Sequence, residues 1–599
     1  MMSVYPGIGD HGMIGDLQTA ALVSRDGVVD WWCAPRFDSP SLFASLLDHR
    51  RGGHCALTAA GTVRQLYLPD TAILLTRFMG PGGVGEVVDF MPPDEGPATD
   101  AHRIIRIVRT VRGSVDFSFA CRPRFDYGRA EHRLELPAAG TAVFHGPGLD
   151  LHLQALGPLE LREDAGDAVA GFTLTAGQRA AFVLTTASSG PVAAPSEVEV
   201  RAAFDACRRY WHRWLRGCSY RGRFRDTVNR SAITLKLLTY HPTGAPVAAA
   251  TMGLPEQIGG ERNWDYRYTW VRDASLSVGA LTELGFTAEA AAFRRWMRDR
   301  LDAGGTASGE PLQIMYRVDG DPRLDEEVLH HLEGYRGSAP VRAGNAAADQ
   351  IQLDIYGEAA YALAERDGIA QIHGWRALVD VLDWLAEHWD RPDEGVWETR
   401  GGRQDFTFSR LMTWVAFDRG IRHSLTHARP ADVARWTRVR DEVYQQIVDR
   451  GWHSGRKAFV QHFATDVLDA SLLLMPRVGF VAPHDPVWLS TLDAMERELV
   501  SDGLVYRYDP SASPDGLRGE EGTFNLCSFL YVEALARTGR VERAHYTFDK
   551  MLTYANHVGL FAEELGQSGE QLGNFPQAFT HIALIGAALA LDECLDGRS

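Results

Sequence analysis

"TTASSGPVAAPSEVEVRAAFDACRRYWHRWLRG", Thr185 to Gly217, is the stretch at which the chain turns from strand to helix. Its first eleven residues, 185–195, are small residues and prolines of linker composition. Ser196 and Glu199 then match a capping box, in which each side chain satisfies the other's free backbone N–H, and predict a helix of about twenty residues bridging to the second half.

Upstream, residues 14–187 read as short strands. "TAALVSRDGVVDWWCA" is two β-rich runs around Arg25-Asp26-Gly27, and "TAILLTRFM", "GEVVDFM", "HRIIRIVRTV", "VDFSFACRP", "DLHLQAL", "AGFTLTA" and "RAAFVLTT" follow. Many short strands with polar glycine turns and no interleaved helices predict an antiparallel β-sandwich. "GPGGVG" (Gly80, Gly82, Gly85) matches the dinucleotide fingerprint in letters only. The fingerprint needs a following helix to hold a pyrophosphate, whereas "EVVDFMPP" is a strand closed by Pro92 and Pro93.

Downstream the pattern is helical, with segments near 226–240, 272–284, 286–304, 348–367, 373–389, 409–423, 430–450, 466–475, 484–500, 525–536, 540–556 and 575–594. Short links join them in pairs and longer excursions separate the pairs. This predicts six helical hairpins closed into an (α/α)6 barrel; the alternative, an open solenoid, lacks a repeat motif of fixed period. The expected division is residues 1–190 for the sandwich, 191–222 for the linker and bridging helix, and 223–599 for the barrel.

A chain of 599 residues exceeds one ordinary core. Its net charge of −17 is spread along the length without a basic tract, which excludes a nucleic-acid binder. No run of about eighteen apolar residues suggests a membrane span, and the N-terminus lacks a basic and then apolar leader, so a cytoplasmic location is the expectation. Seven cysteines, odd in number and without CxxC, read as reduced and mostly buried thiols. Homo-oligomer formation is compatible with all of this.

The chemistry gathers in the long loops. In "ERNWDYRYTWVRDASL" (261–276), Trp264, Tyr266, Tyr268 and Trp270 alternate with Asp265, Arg267 and Thr269, and Arg272-Asp273 follow at a helix start. Rings cover the apolar C–H faces of a sugar while fixed charges bond its hydroxyls, so this pattern suits a sugar pocket. The competing reading is a buried aromatic cluster with a salt-bridged cap. Tyr335, Arg336, Arg342 and Asn345 lie in a second loop among Gly334, Gly337 and Gly344 and read as a polar rim.

Glu398 follows Trp397, and an acid beside an indole is partly desolvated, as suits a proton donor. Asp393 and Glu394 read as ordinary surface-loop carboxylates. In the last loop Glu563 and Glu564 are adjacent, so in an extended segment only one faces a given pocket. Two carboxylates from separate loops around such a pocket are what glycosidic hydrolysis requires. No HExxH or GxSxG occurs, and no metal or other cofactor is expected.

Taken in order, "MIGDLQTAALVSRDGVVDWWCAPRFDSPSLFASLLD", "NWDYRYTWVRDAS", "GYRGSAPVRAGN", "QIQLDIYGE", "VWETR" and "GNFPQAFTHIALI" resemble glycoside hydrolase family 15, specifically its bacterial and archaeal glucoamylase and α,α-trehalase branch. The resemblance covers nearly the whole chain. It implies a β-sandwich followed by an (α/α)6 barrel and an inverting, exo-acting α-glucoside hydrolase acting on trehalose or short malto- or isomalto-oligosaccharides. Carried over by motif, Glu398 in "VWETR" matches the general acid and Glu563 in "LFAEEL" the general base, with Glu564 beside it. Arg272 and Asp273 match the pair holding the terminal glucose; Trp264, Tyr266, Trp270, Tyr335, Arg336, Arg342, Trp397 and Glu564 are the other expected substrate contacts. The alternatives are a non-catalytic carbohydrate-binding protein on the same fold and an α-glucoside phosphorylase. The aromatic, charged end "DWWCAPRFDS" (30–39) is expected either to lean over the barrel mouth or to pack Trp31 and Trp32 between the domains.

Overall fold

The computed structural model describes residues 5–597 other than 189, 191, 305, 307–308, 365–371, 513–515 and 517–520. From His11–Gly15 to Arg179–Ala187 the strands pair antiparallel. Arg103–Arg122 is the seam of this sheet. Its first half pairs with Gly83–Phe90 and Arg179–Ala187, its second with His54–Ala59 and Asp167–Thr175. Gly113 stands where the partners change, at φ 70°, a conformation that glycine adopts without steric cost. Phe119 from one half stacks on Phe182 from the other with ring centres 3.9 Å apart, so the sheet folds over a shared apolar core. Leu74–Gly80 and Gly83–Phe90 are neighbours with Gly80 opposite Gly83, which makes the glycine run a hairpin turn. All seven cysteines are free thiols, six of them buried.

The bridging helix spans Glu197–Leu215, and both halves of its capping box form: Ser196 N–H donates to Glu199 at 2.7 Å and Glu199 N–H to Ser196 Oγ at 3.2 Å. Beyond it, each of the twelve expected segments has a helical counterpart. The segment expected at 348–367 starts later, at Asp354, and its last three residues, 365–367, lie outside the described residues. The reason is local: Glu394 accepts the Ile351 N–H and Asp393 the Leu353 N–H, each at 2.8 Å, and so hold that approach as loop. Asp393 is fully buried. The pair therefore anchors the neighbouring loop, which corrects the reading of both as surface carboxylates.

Six helical pieces form a circuit. Val271–Glu283 packs on Asp354–Ala364, and that on Thr407–His427. Thr407–His427 and Asn525–Arg537 both pack on Ala470–Leu474; Asn525–Arg537 packs on Ala578–Leu595, which returns to Val271–Glu283. Ala578–Leu595 is long and apolar enough to cross a membrane by length and composition, but 78% of it is buried inside the protein.

The two halves share a polar joint. Arg267, fully buried, donates to both oxygens of Asp265 at 2.9 and 2.6 Å, to Ser39 O at 2.7 Å and to the Tyr127 hydroxyl at 2.9 Å. Trp31 Nε1 donates to Ala250 O at 2.7 Å. The 30–39 hairpin end thus braces the back of the 264–270 segment. Replacing Arg267 by Met leaves Asp265 buried without its partner and is expected to destabilise the fold by about 3–5 kcal/mol, measured as a lower denaturation midpoint.

Candidate active site

Three helices of the circuit begin at one cavity. Their N-cap residues, Trp270, Phe524 and Gln577, all line it. The cavity offers about 80 Å³ to the centres of water molecules and is lined also by Glu256, Arg262, Trp264, Tyr266, Arg272, Asp273, Trp397, Glu398, Arg400, Arg507, Glu563 and Phe579. Helix N-termini carry partial positive charge, which offsets part of the carboxylate charge collected there.

Glu398 sits on a tight turn closed by its own N–H on Gly395 O at 3.0 Å and by Thr399 N–H on Glu394 O at 3.2 Å. Its φ of 57° is left-handed, a rare and strained state for a non-glycine residue. Trp270 Nε1 donates to Glu398 Oε1 at 2.6 Å, and the Arg272 guanidinium lies 3.6 Å from the same oxygen. Burial raises the Glu398 pKa above the ordinary carboxylate range, with Arg272 and Trp270 pulling it back. Arg272 pairs with Asp273 at 2.9 Å, donates to Val396 O at 2.7 Å and so ties the acid turn to the start of Val271–Glu283.

On the facing loop, Tyr266 OH donates to Glu563 Oε1 at 2.7 Å. Gly573, at φ 75°, leaves room for this side chain: a Cβ there would lie 2.6 Å from Glu563 Oε2. Glu564 begins the two-residue strand Glu564–Leu565, paired to Thr523–Phe524 and Gln571–Leu572. It accepts the Gly522 N–H at 2.8 Å, is fully buried and does not line the cavity.

Behind Glu563 stand Glu256, Glu521 and Glu564 with Arg262 and Arg507. Glu521 takes Arg262 at 2.8 Å and Arg507 Nε at 2.6 Å, whereas Glu256 lies 4.0 and 3.8 Å from the two arginines and accepts Trp264 Nε1 at 3.0 Å. Among the described residues, four carboxyl groups thus face two guanidinium groups. Burial first and the Glu256 charge second raise the Glu563 pKa; burial also raises Glu256 and Glu564.

Of the expected contacts, the cavity brings together Trp264, Tyr266, Trp270, Arg272, Asp273, Trp397, Glu398 and Glu563. It leaves out Glu564, turned instead to the Gly522 N–H, Tyr335, whose hydroxyl donates to Pro6 O at 2.7 Å, and Arg336, which reaches Tyr5 O at 3.4 Å. That loop faces the N-terminal domain. Arg342 packs over the Trp264 ring from outside the lining. No residue of 30–39 lines the cavity, and Trp31 and Trp32 are fully buried; the hairpin end packs between the domains and does not overhang the pocket.

Sequence reasoning missed Glu256, Arg262, Arg507, Gln577 and Phe579. A signal for Arg507 exists, because "YRY" occurs at 266–268 and again at 506–508. The two copies use opposite faces: Tyr266 lines the cavity while Arg267 is buried, and Arg507 lines it in the second copy.

Residues 222–589 match the model of glycosyl hydrolases family 15, and residues 3–211 that of the trehalase-like N-terminal domain. The chain is 38% identical to a trehalase of Mycolicibacterium smegmatis over 98% of its length and 91% of the relative's. It is 34% identical to a trehalase of Thermoplasma volcanium, covering 99% and 95% of the two chains. A bacterial glucoamylase complexed with acarbose shares the fold with TM-score 0.71 at 11% identity, over 99% of this chain and 94% of that one. With the family model spanning the helical half and the cavity residues 248–579 inside it, the chain belongs to the glycosyl hydrolases of family 15.

Proposed function

We propose that this glycoside hydrolase is an inverting, exo-acting enzyme of trehalase type that releases β-D-glucose from the non-reducing end of a short α-glucoside, with Glu398 as general acid and Glu563 as general base. The observation that carries this reading is the way one extended segment holds both carboxyl groups. Tyr266 bonds Glu563, Trp270 bonds Glu398, and the two rings meet edge to face with centres 5.4 Å apart. The carboxyl groups come from separate loops and line one cavity. Full-length relatives named trehalase support trehalose as substrate, with maltose and isomaltose oligosaccharides the other members of the class.

In this mechanism the terminal glucose rests against Arg272 and Asp273, whose charged groups bond its hydroxyls. Glu398 keeps its proton until the leaving oxygen accepts it. Glu563 takes a proton from a water that attacks the anomeric carbon on the opposite face, which needs carboxyl groups roughly 6.5–9.5 Å apart. Donation by the Tyr266 hydroxyl orients Glu563 and favours its ionised form. The circuit, five of whose six pieces also pack on a further helix outside it, supports an (α/α)6 barrel over 223–599, following a sandwich at 1–190 and a linker at 191–222. Glucose release from equal concentrations of trehalose, maltose and isomaltose tests the reading: trehalose turns over fastest, and inertness toward all three removes it.

The carboxylate cluster adds a pH signature. Glu563 must be ionised to act, and its raised pKa places the acid limb of kcat/KM above the ordinary glutamate range. Removing the neighbouring negative charge with Glu256→Gln lowers that pKa, so the acid limb moves to lower pH. An unmoved limb, or one moved upward, contradicts this placement of Glu256.

A further inference from the structure

Along the extended segment 264–270 and the helix start that follows it, the groups that line the cavity come in the order Trp264, Tyr266 holding Glu563, Trp270 holding Glu398, and Arg272-Asp273. With the terminal glucose at Arg272-Asp273, as the proposed function has it, the second sugar leaves on the side of the proton donor Glu398, whose loop carries Arg400 onto Trp264. That side is not an open aromatic platform. The Arg400 guanidinium carbon lies over the Trp264 ring at 4.3 Å and that of Arg342 at 4.8 Å. One carboxylate holds both: Glu326 Oε1 is 3.3 Å from Arg342 Nε, and Oε2 is 3.5 Å from Arg400 Nη2. Trp264 is fixed in turn by Glu256 at its indole N–H. Arg400 alone of the two arginines lines the cavity, two residues from Glu398 on the same loop.

We propose that Arg400, stacked on Trp264 and held by Glu326, is the residue that receives the second sugar and ends the pocket there, restricting the enzyme to disaccharides. A planar guanidinium on an indole offers several N–H donors to the leaving sugar's hydroxyls without itself moving. A longer chain has to displace it, and forfeits both the ring stacking and the Glu326 ion pair. Arg400 thereby sets specificity, and Glu326 is a positioning residue acting through it. The inference rests on the α-glucosidase reading and on its orientation of substrate.

The test compares wild type, Arg400→Ala, Arg400→Lys and Glu326→Gln on trehalose, on maltotriose against maltose, and on α-D-glucosyl fluoride, whose leaving group occupies no second-sugar site. Arg400→Ala is expected to lower kcat/KM for trehalose about 10–100-fold, chiefly through KM. It leaves α-D-glucosyl fluoride within about twofold and raises the maltotriose-to-maltose ratio about tenfold or more, since the guanidinium bonds only the second sugar. Arg400→Lys and Glu326→Gln give the same substrate pattern in weaker form. Turnover of α-D-glucosyl fluoride also reports that each variant is folded. An equal loss on trehalose and the fluoride, or an unchanged trehalose rate, overturns the proposal. Wild-type protein inert toward every α-glucoside overturns instead the hydrolase reading beneath it.

Discussion

Glu398→Gln is expected to lower kcat for trehalose by about 10²–10⁴-fold while leaving substrate binding nearly intact. The amide can still accept the Trp270 N–H that holds the side chain at 2.6 Å, so the geometry survives and only the transferable proton is removed. The loss should depend on the leaving group. A sugar alkoxide needs protonation as it departs, whereas 4-nitrophenolate hardly does, so 4-nitrophenyl α-D-glucoside should retain a much larger fraction of wild-type turnover. Equal losses on the two substrates contradict the assignment of Glu398 as proton donor.

Glu563→Gln is expected to abolish about 10²–10⁴-fold of the rate on both of those substrates alike, because water must be activated whatever the leaving group. The neighbouring Glu564→Gln is the internal control. Glu564 spends one oxygen on the Gly522 N–H, lies outside the cavity and sits in a pocket of excess carboxylate. Neutralising it should leave kcat within about tenfold, since Glu564 does not touch the reacting water. A dead Glu564→Gln protein beside an active Glu563→Gln protein would move the base by one residue.

Much of this molecule was legible in its sequence, for identifiable reasons. The capping box at Ser196 and Glu199 is a local signal, and the structure forms both of its hydrogen bonds. The period-two alternation from Trp264 to Trp270 is likewise local, and it placed three of those aromatics and the Arg272-Asp273 pair at the cavity. The failures are of another kind. Tyr335 and Arg336 have the same residue types as a sugar rim, but their loop turns toward Pro6 and Tyr5, more than three hundred positions away in sequence. Glu256 and Arg507 meet only through folding of loops some two hundred and fifty residues apart. Asp393 and Glu394 read as surface acids because the N–H groups that engage them lie on residues 353 and 351 of another loop. Long-range pairing decides these positions, and no local pattern encodes it.

The central claim is single-displacement hydrolysis by two carboxyl groups acting across an α-glucosidic bond. The most direct test follows trehalose cleavage by ¹H NMR in the first minutes, before the released sugars equilibrate. Inversion at one anomeric carbon converts that glucose to the β form, while the leaving glucose keeps its α configuration, so α- and β-glucose should appear in equal amounts without added phosphate. Release of α-glucose alone would show retention, and glucose 1-phosphate in place of one of the two glucoses would show phosphorolysis; either result contradicts single-displacement hydrolysis.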